Sequence, residues 1–263
     1  MSEKIKVPTM AEYLAQGKTP EVLFWVGCAG SFDDRAKKIS KAFAKLLNKA
    51  GIDFAVLGTE ESCTGDPAKR AGNEFLFQMQ AMANIQVLDG YAIKKIVTTC
   101  PHCFNTFKNE YPELGGNYEV MHHTQFLRAL INEGRLKVEG GKYKGKRITF
   151  HDPCYLGRAN NEYEAPRELL QKLEVELIEM KRSKSRGLCC GAGGAQMFKE
   201  PEKGTKEINI ERTEEAIETN PEIIATGCPF CNTMMTDGIK AKEKEDSIAV
   251  MDITELIANA ADL

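Results

Sequence analysis

The chain has 263 residues, 42% of them hydrophobic, which is enough to bury the core of one or two domains. Its net charge of −3 gives no electrostatic argument for nucleic-acid binding, which usually requires a basic face. No apolar run approaches the roughly 20 residues of a membrane span. Residues 1–18 are charged and lack the apolar core of a signal peptide. We therefore expect a cytoplasmic protein, and peripheral membrane association through a partner stays open.

Strands alternate with helices in the first part of the chain. Residues 21–28 (EVLFWVGC) form a short apolar run, typical of a buried strand, that ends in a cysteine. The pattern then predicts two more strands, at 52–57 and 95–100, and helices at 35–50, at about 67–90 and from Pro101 onward.

The second part of the chain repeats this order. It predicts strands at 147–154, 175–179 and 222–228, and helices at 162–173, 207–218 and 228–240. A polar, glycine-rich segment at 134–146 separates the two parts, so we predict domains at 1–140 and 141–263. We expect an α/β protein of two pseudo-symmetric halves, each a small parallel sheet flanked by helices, with cysteines at the strand ends.

All nine cysteines belong to one pattern that occurs twice. The first copy contains Cys28, Cys63, Cys100 and Cys103, and the second contains Cys154, Cys189, Cys190, Cys228 and Cys231. The spacing from Cys28 to Cys154 is 126 residues, and that from Cys100 to Cys228 is 128 residues. Matching Cys63 to Cys190 puts Ser62 where the second copy has Cys189, so the first copy reads as a degenerate repeat with Ser-Cys instead of Cys-Cys.

The cysteines are candidate metal ligands. The carboxyl ends of parallel strands share one edge of a sheet, so each copy should converge on one site. Both CxxC pairs stand at predicted helix starts, where thiolate, the form that ligates metal, is stabilised. Soft thiolate ligands select zinc, copper(I) or iron–sulfur clusters. Structural zinc needs four ligands, and a metal-free dithiol oxidoreductase would use one CxxC, so both alternatives stay open.

An odd number of cysteines cannot pair completely within one chain. A reducing cytosol also disfavours a disulfide framework.

The adjacent pair Cys189 and Cys190 lies in a glycine-rich loop, 187–194. Glycine reaches backbone conformations that would let both thiolates face one cofactor. The amides of three of its glycines are candidate donors to that cofactor, namely Gly191, Gly193 and Gly194. His151 precedes Cys154 and is either a hydrogen-bond or proton donor at the site or a strand-end histidine bonded to backbone.

Six cysteine-containing segments of this chain resemble the cysteine-rich CCG domain. That domain occurs in heterodisulfide reductase and in the iron–sulfur subunits of glycolate, lactate and glycerol-3-phosphate oxidation systems. The residues that carry the resemblance are Gly27-Cys28, Glu61–Gly65 (ESCTG), Thr99–Cys103 (TCPHC), His151–Arg158 (HDPCYLGR), Gly187–Gly194 (GLCCGAGG) and Gly227–Cys231 (GCPFC).

The resemblance implies an oxidoreductase subunit. The second copy matches the complete five-cysteine motif, which in heterodisulfide reductase holds a noncubane [4Fe-4S] cluster that acts on a disulfide. Cys189, Cys190 and His151 are then the candidate catalytic residues, for disulfide, thiol or quinone-linked chemistry. The four-cysteine copy implies a cubane cluster or none. The segment 62–74 resembles oxidoreductases that pass electrons between flavoproteins and quinone, which implies iron–sulfur or flavoprotein partner subunits. The alternative is a zinc-stabilised scaffold without redox activity.

Overall fold

A computed structural model describes residues 5–139, 141–200 and 203–263. It contains two four-stranded parallel sheets, one in each half of the chain. The spatial order in the first sheet is β2 (Phe54–Ala55), β1 (Val22–Trp25), β3 (Lys95–Thr98) and β4 (Glu119–His122). The order in the second sheet is β6 (Glu176–Leu177), β5 (Arg147–Phe150), β7 (Ile223–Thr226) and β8 (Ala249–Asp252). The predicted fold class is confirmed.

Eleven α-helices in the described residues flank the sheets. Those of the first half are α1 (Met10–Ala15), α2 (Gly27–Phe32), α3 (Asp34–Lys49), α4 (Asp66–Arg70), α5 (Glu74–Gly90), α6 (Pro101–Asn105) and α7 (His123–Asn132). Those of the second half are α8 (Glu164–Lys172), α9 (Ile208–Ile217), α10 (Pro229–Ala241) and α11 (Ile253–Ala260). No helix among the described residues is both long enough and apolar enough to cross a bilayer.

The cysteine-bearing strands end earlier than the sequence pattern predicts. β1, β3, β5 and β7 stop two to four residues before the cysteine that follows each of them. Cys100 and Cys228 are instead the N-caps of α6 and α10, because Pro101 and Pro229 set the backbone of a first helical turn. Cys28 lies inside α2, after Gly27 turns the chain with a φ of +78°. The cysteines therefore stand on helix starts and loops above the strand ends.

The predicted helix at 67–90 is two helices. Gly72 adopts a φ of +84°, a conformation that favours glycine, and this ends the helical path after α4. Asn73 then caps α5 by accepting a hydrogen bond from the amide of Leu76 at 3.1 Å.

Sequence patterning missed the edge strands β4 and β8. Each is four residues long, begins with an exposed residue and becomes buried only at its end. So short and half-exposed a strand carries no apolar run for a pattern to detect.

One apolar core joins the two halves. It includes Phe43 and Leu46 of α3, Leu170 of α8, and Leu256 and Ile257 of α11. The predicted domain boundary, by contrast, falls at position 140, which lies outside the described residues, so the boundary stays a prediction.

A bidentate ion pair reinforces the contact between the halves. Arg35 of α3 donates to both carboxylate oxygens of Glu255 in α11, at 2.8 and 2.6 Å. The halves are therefore held by charge as well as by apolar packing.

Candidate cysteine sites

The four cysteines of the first half come together above the carboxyl edge of their sheet, and we call them the first site. Cys28 and Cys63 form a thiol–thiol hydrogen bond, which lowers the pKa of Cys63 to about 7 and raises that of Cys28. The amide of Gly65 donates to the Cys63 sulfur at 3.4 Å. Cys103 hydrogen-bonds with Cys100 and is close enough to Cys28 and Cys63 for their charges to raise its pKa.

The five cysteines of the second half form the second site. Cys154 hydrogen-bonds with Cys189, which lowers the pKa of Cys189 and raises that of Cys154. The sulfurs of Cys190 and Cys231 lie 3.3 Å apart, and interaction with Cys190 and then with Cys228 raises the pKa of Cys231. All nine cysteines are free, so none is taken up by a disulfide.

The contacts of the cysteines match residues of the two sites differently from the match that cysteine spacing suggests. Cys63 interacts with Cys28, the first cysteine of its half, and accepts a hydrogen bond from the amide of Gly65, a positive-φ glycine two residues later. Cys189 does the same with Cys154 and with Gly191, whose amide lies 3.3 Å from its sulfur. Cys63 is therefore the counterpart of Cys189, at an offset of 126 residues, which is also the offset from Cys28 to Cys154.

Thr64 then occupies the position of Cys190. Its hydroxyl lies 4.0 Å from the sulfur of Cys103, while Cys190 contacts Cys231, which is the counterpart of Cys103. The first-half motif is thus Cys-Thr-Gly in place of Cys-Cys-Gly. The reading of Ser62 as the substituted member of the pair is corrected, because its hydroxyl instead donates to Asn84 Oδ1 at 2.7 Å.

The two sites adjoin each other. The pKa of Cys100 is lowered first by its hydrogen bond with Cys103 and then by one with Cys228 of the other half. The rings of His102 and Phe230, each inside a CxxC pair, are 5.4 Å apart. Both contacts join equivalent positions of the repeat, 128 residues apart. Equivalent positions of the two halves therefore meet where the two sites adjoin.

This repeated arrangement matches a known family model. The model described as "Cysteine-rich domain" (CCG) aligns with residues 22–108 and again with residues 148–236. The chain belongs to the CCG cysteine-rich domain family.

Several known proteins are similar to nearly the whole of this chain. The "Probable iron-sulfur-binding oxidoreductase FadF" of Bacillus subtilis is 50% identical over 97% of this chain and 36% of its own length. The "EtfAB:quinone oxidoreductase" of Syntrophomonas wolfei is 47% identical over 93% of this chain and 35% of its own length. One subunit of the "Dihydromethanophenazine:CoB--CoM heterodisulfide reductase" of Methanosarcina barkeri is 37% identical over 92% of this chain and 59% of its own length.

The chain therefore spans roughly a third to three-fifths of the length of these relatives. Among solved structures, a Bacillus anthracis glutamate racemase aligns with 92% of the chain and 79% of its own length, at 14% identity and a TM-score of 0.36. That likeness is too weak to carry an argument.

The glycines of the CCG loop have different surroundings. Gly191 has a φ of +92°, and this conformation aims its amide at Cys189. Gly194 also has a positive φ, of +68°. A Cβ added at Gly193 or Gly194 would meet no atom within 4 Å, so both positions border open space. Of the three predicted cofactor-binding glycines, only Gly191 has its amide against a cysteine sulfur.

His151 is buried beside the second site. One of its ring nitrogens and the sulfurs of Cys190 and Cys231 all lie within 4.8 Å of one another. Nδ1 accepts a hydrogen bond from Arg212 Nε at 3.0 Å, while Nε2 has no partner among the described residues. Burial, and next the charge of Arg212, lower the pKa of His151 to about 3, so its ring is neutral at physiological pH.

A buried ion-pair network supports the first site and was not predicted. The Nδ1–H of His102 donates to Asp66 at 2.8 Å, and Asp66 also accepts from Arg70 at 3.0 Å. The ring of His102 packs 4.4 Å from that of Tyr155, beside Cys154 in the second half. Asp66 follows the Cys-Thr-Gly motif directly, which is the only sequence signal that could have pointed to it.

Each site contains both buried and half-buried cysteines. Cys100, Cys103, Cys190, Cys228 and Cys231 are buried, whereas Cys28, Cys63, Cys154 and Cys189 are half-buried. A groove of about 370 Å³ opens at Cys63. It is walled by Leu76 of α5 and by Phe198 beyond the CCG loop. Two of the buried thiols, Cys100 and Cys228, lie where the two sites adjoin. The half-buried thiols lie at the outer edges of the sites.

The side chains present fit an iron–sulfur cofactor. Nine free thiols in two convergent groups form a soft, all-sulfur donor set, which is the kind that selects iron–sulfur clusters. The unpartnered buried nitrogen of His151 is a second sign that a group belongs there. Together with the iron–sulfur-binding relatives, these observations support iron–sulfur clusters in this chain.

Proposed function

We propose that this chain is the iron–sulfur electron-transfer subunit of a heterodisulfide-reductase-like oxidoreductase, with one [4Fe-4S]-type cluster in each half. The observation that carries the proposal is the gathering of nine free thiols into two adjoining sites. The printed names of the relatives, an iron–sulfur-binding oxidoreductase and a heterodisulfide reductase component, support it.

The first site has four cysteines, the number that an ordinary cubane cluster uses. Cys28, Cys63, Cys100 and Cys103 would hold it. The second site has five, which suits the noncubane cluster of the motif that it resembles, and Cys154, Cys189, Cys190, Cys228 and Cys231 would hold that cluster. When bound, such clusters supply one-electron transfer at potentials set by their surroundings.

The region between the two sites suits electron transfer from one site to the other. Cys100 and Cys228 are buried and in contact, and His102 packs against Tyr155 and Phe230 beside them. Because Cys100, Cys228 and His102 are buried, a charge that moves between the sites would meet an environment of low effective dielectric constant. Electrons can therefore pass from one half to the other within this chain.

Exchange with other proteins would occur at the half-buried outer edges. Iron–sulfur or flavoprotein redox subunits are the partners we propose, and peripheral association with a membrane would come through such a partner. The relatives' names, which include an EtfAB:quinone oxidoreductase, support a role inside a larger redox system.

Chemistry on a disulfide, a thiol or a quinone is assigned to the second site. Cys189, Cys190 and His151 are the residues that we propose for it. In support, Cys189 is half-buried and has a lowered pKa. Both other residues lie buried behind it, where they would hold the reacting region in place.

The deciding experiment measures iron and acid-labile sulfide in anaerobically purified protein, together with EPR spectra before and after oxidation. We expect about eight irons per chain and two distinguishable signals, because each site would hold a four-iron cluster. One or two zinc ions per chain without sulfide would instead identify a zinc-stabilised scaffold and overturn the proposal.

A further inference from the structure

The hydrogen-bond partner of His151 fixes which ring nitrogen carries the proton. Arg212 Nε donates to His151 Nδ1 at 3.0 Å, and a guanidinium group has donors but no acceptor. Nδ1 must therefore be the unprotonated nitrogen, and the neutral ring carries its proton on Nε2. Arg212 is itself held in place, because its Nη1 donates to the Arg182 carbonyl at 2.8 Å and to Glu215 at 3.1 Å.

The resulting Nε2–H has no acceptor among the described residues, although the His151 side chain is fully buried. Leaving a buried N–H unpaired costs free energy, so such a group calls for an explanation, of which an absent ion or cofactor is one. One ring nitrogen of His151 and the sulfurs of Cys190 and Cys231 all lie within 4.8 Å of one another, and because Nδ1 already accepts from Arg212, Nε2 is the nitrogen free to donate a hydrogen bond there.

The same geometry excludes His151 as a metal ligand. A ligating histidine offers a lone pair on one nitrogen and donates the other N–H to a carboxylate, a carbonyl or water. Ligation through Nε2 would put a proton on Nδ1, directly against the donating Nε–H of Arg212. Two donors would then face each other in a buried space, so His151 would meet a cluster as a hydrogen-bond donor and not as a ligand.

The first half carries a chemically different donor at the equivalent position. Trp25 lies 126 residues before His151, the offset that also relates Cys28 to Cys154. Its indole N–H is buried and has no partner among the described residues. Trp25 packs in the same apolar cluster as Cys100 and Cys103 of the first site. An indole N–H can only donate, so both halves place an unpaired donor three residues before their first cysteine.

We propose that Arg212 is a positioning residue that fixes His151 as an N–H donor to a sulfur of the second-site cluster, and that the Trp25 indole N–H is its counterpart at the first site. This inference rests on the proposed function. Hydrogen bonds to cluster sulfurs tune the reduction potential, and a donor favours the more negative reduced form. Each N–H should therefore raise the potential of the cluster in its own half.

The test is an EPR-monitored redox titration of the full chain with its clusters, combined with ENDOR of samples exchanged into D2O. His151→Phe keeps the ring and removes the N–H, so we expect a lower potential for the second cluster and loss of one exchangeable-proton coupling. Trp25→Phe is the matched control and should shift only the first cluster. His151→Gln restores an amide donor and should recover part of the shift.

Arg212→Met tests the positioning role, because the freed ring can place its proton on Nδ1. We expect the potential of the second cluster to fall as in His151→Phe, with iron content unchanged. An unchanged potential in His151→Phe would overturn the inference, as would a directly bonded nitrogen coupling from His151. Cluster loss in both the Phe and Gln variants would overturn it too. Absence of iron and sulfide from the unmodified chain would overturn the proposed function as well, so the two failures are distinguishable.

Discussion

The two halves share a backbone plan and differ at the side chains that face their sites. Thr64 in the first half stands where the second has Cys190, and Trp25 stands where the second has His151. Both halves keep a glycine amide that donates to the cysteine two residues earlier, from Gly65 to Cys63 and from Gly191 to Cys189. The scaffold of a thiolate site is thus retained while the number of thiolates and the nature of the donor change, and this separates the fold from the chemistry that it supports.

Removal of the fifth cysteine of the second half should have the largest effect. Cys190→Ala should abolish or transform the second-site EPR signal and leave the first-site signal intact, because only the second site uses a thiolate at that position. Iron content and EPR spectra check this. Thr64→Ala is the matched control and should retain both signals. An unchanged spectrum in the Cys190 variant would contradict the assignment of five ligands.

Adding a cysteine to the first half tests the alignment directly. Thr64→Cys should change the first-site spectrum toward that of the second site, because it places a thiol beside Cys103 as Cys190 is placed beside Cys231. Ser62→Cys should leave that spectrum unchanged, because the Ser62 side chain bonds to Asn84. The reverse result would restore the alignment that spacing alone suggested.

The second half also depends on a buried ion pair just before its first cysteine. Arg167 donates to both carboxylate oxygens of Asp152 at 2.8 and 3.0 Å, and both side chains are about 4% exposed. Arg167→Ala should lower the free energy of unfolding by about 3–5 kcal/mol, because it leaves the buried Asp152 carboxylate without its charged partner.

Urea denaturation of the Arg167 variant measures that loss. The control is Arg135→Ala, which removes a pair with Glu21 whose two side chains are 34% and 41% exposed. That change should cost about 0–1 kcal/mol. Equal losses in the two variants would show that burial does not set the strength of the Asp152 pair.

A smaller effect is expected where α9 and α10 approach closely. A Cβ at Gly238 would overlap Thr213 Oγ1, so Gly238→Ala should cost about 1–3 kcal/mol through overpacking. Gly90→Ala meets no atom within 4 Å and should be neutral or slightly stabilising. Thermal unfolding of the two variants separates them, and a Gly238 variant as stable as the parent chain would contradict this account.

Much of this architecture could be predicted from the sequence, because each central strand is an apolar run followed by a cysteine. The edge strands β4 and β8 could not, since their contacts rather than their composition make them strands. The match of Ser62 with Cys189 was wrong for a similar reason. An alignment based on cysteines alone ignores Thr64. Its contact with the sulfur of Cys103 is what shows that Thr64 is equivalent to Cys190. Arg212 lies 61 residues from His151, and no spacing rule connects them.

The core that Phe43 and Leu46 share with Leu256 and Ile257 constrains how this repeat can evolve. Either half alone would expose a broad apolar face, and such faces promote aggregation. Neither copy can therefore be lost, even if its chemistry becomes dispensable. Ligand positions of one copy, such as that of Thr64, are then freer to vary than the apolar framework that both copies share. A shared core of this kind is compatible with one complete and one incomplete set of ligands in the same chain.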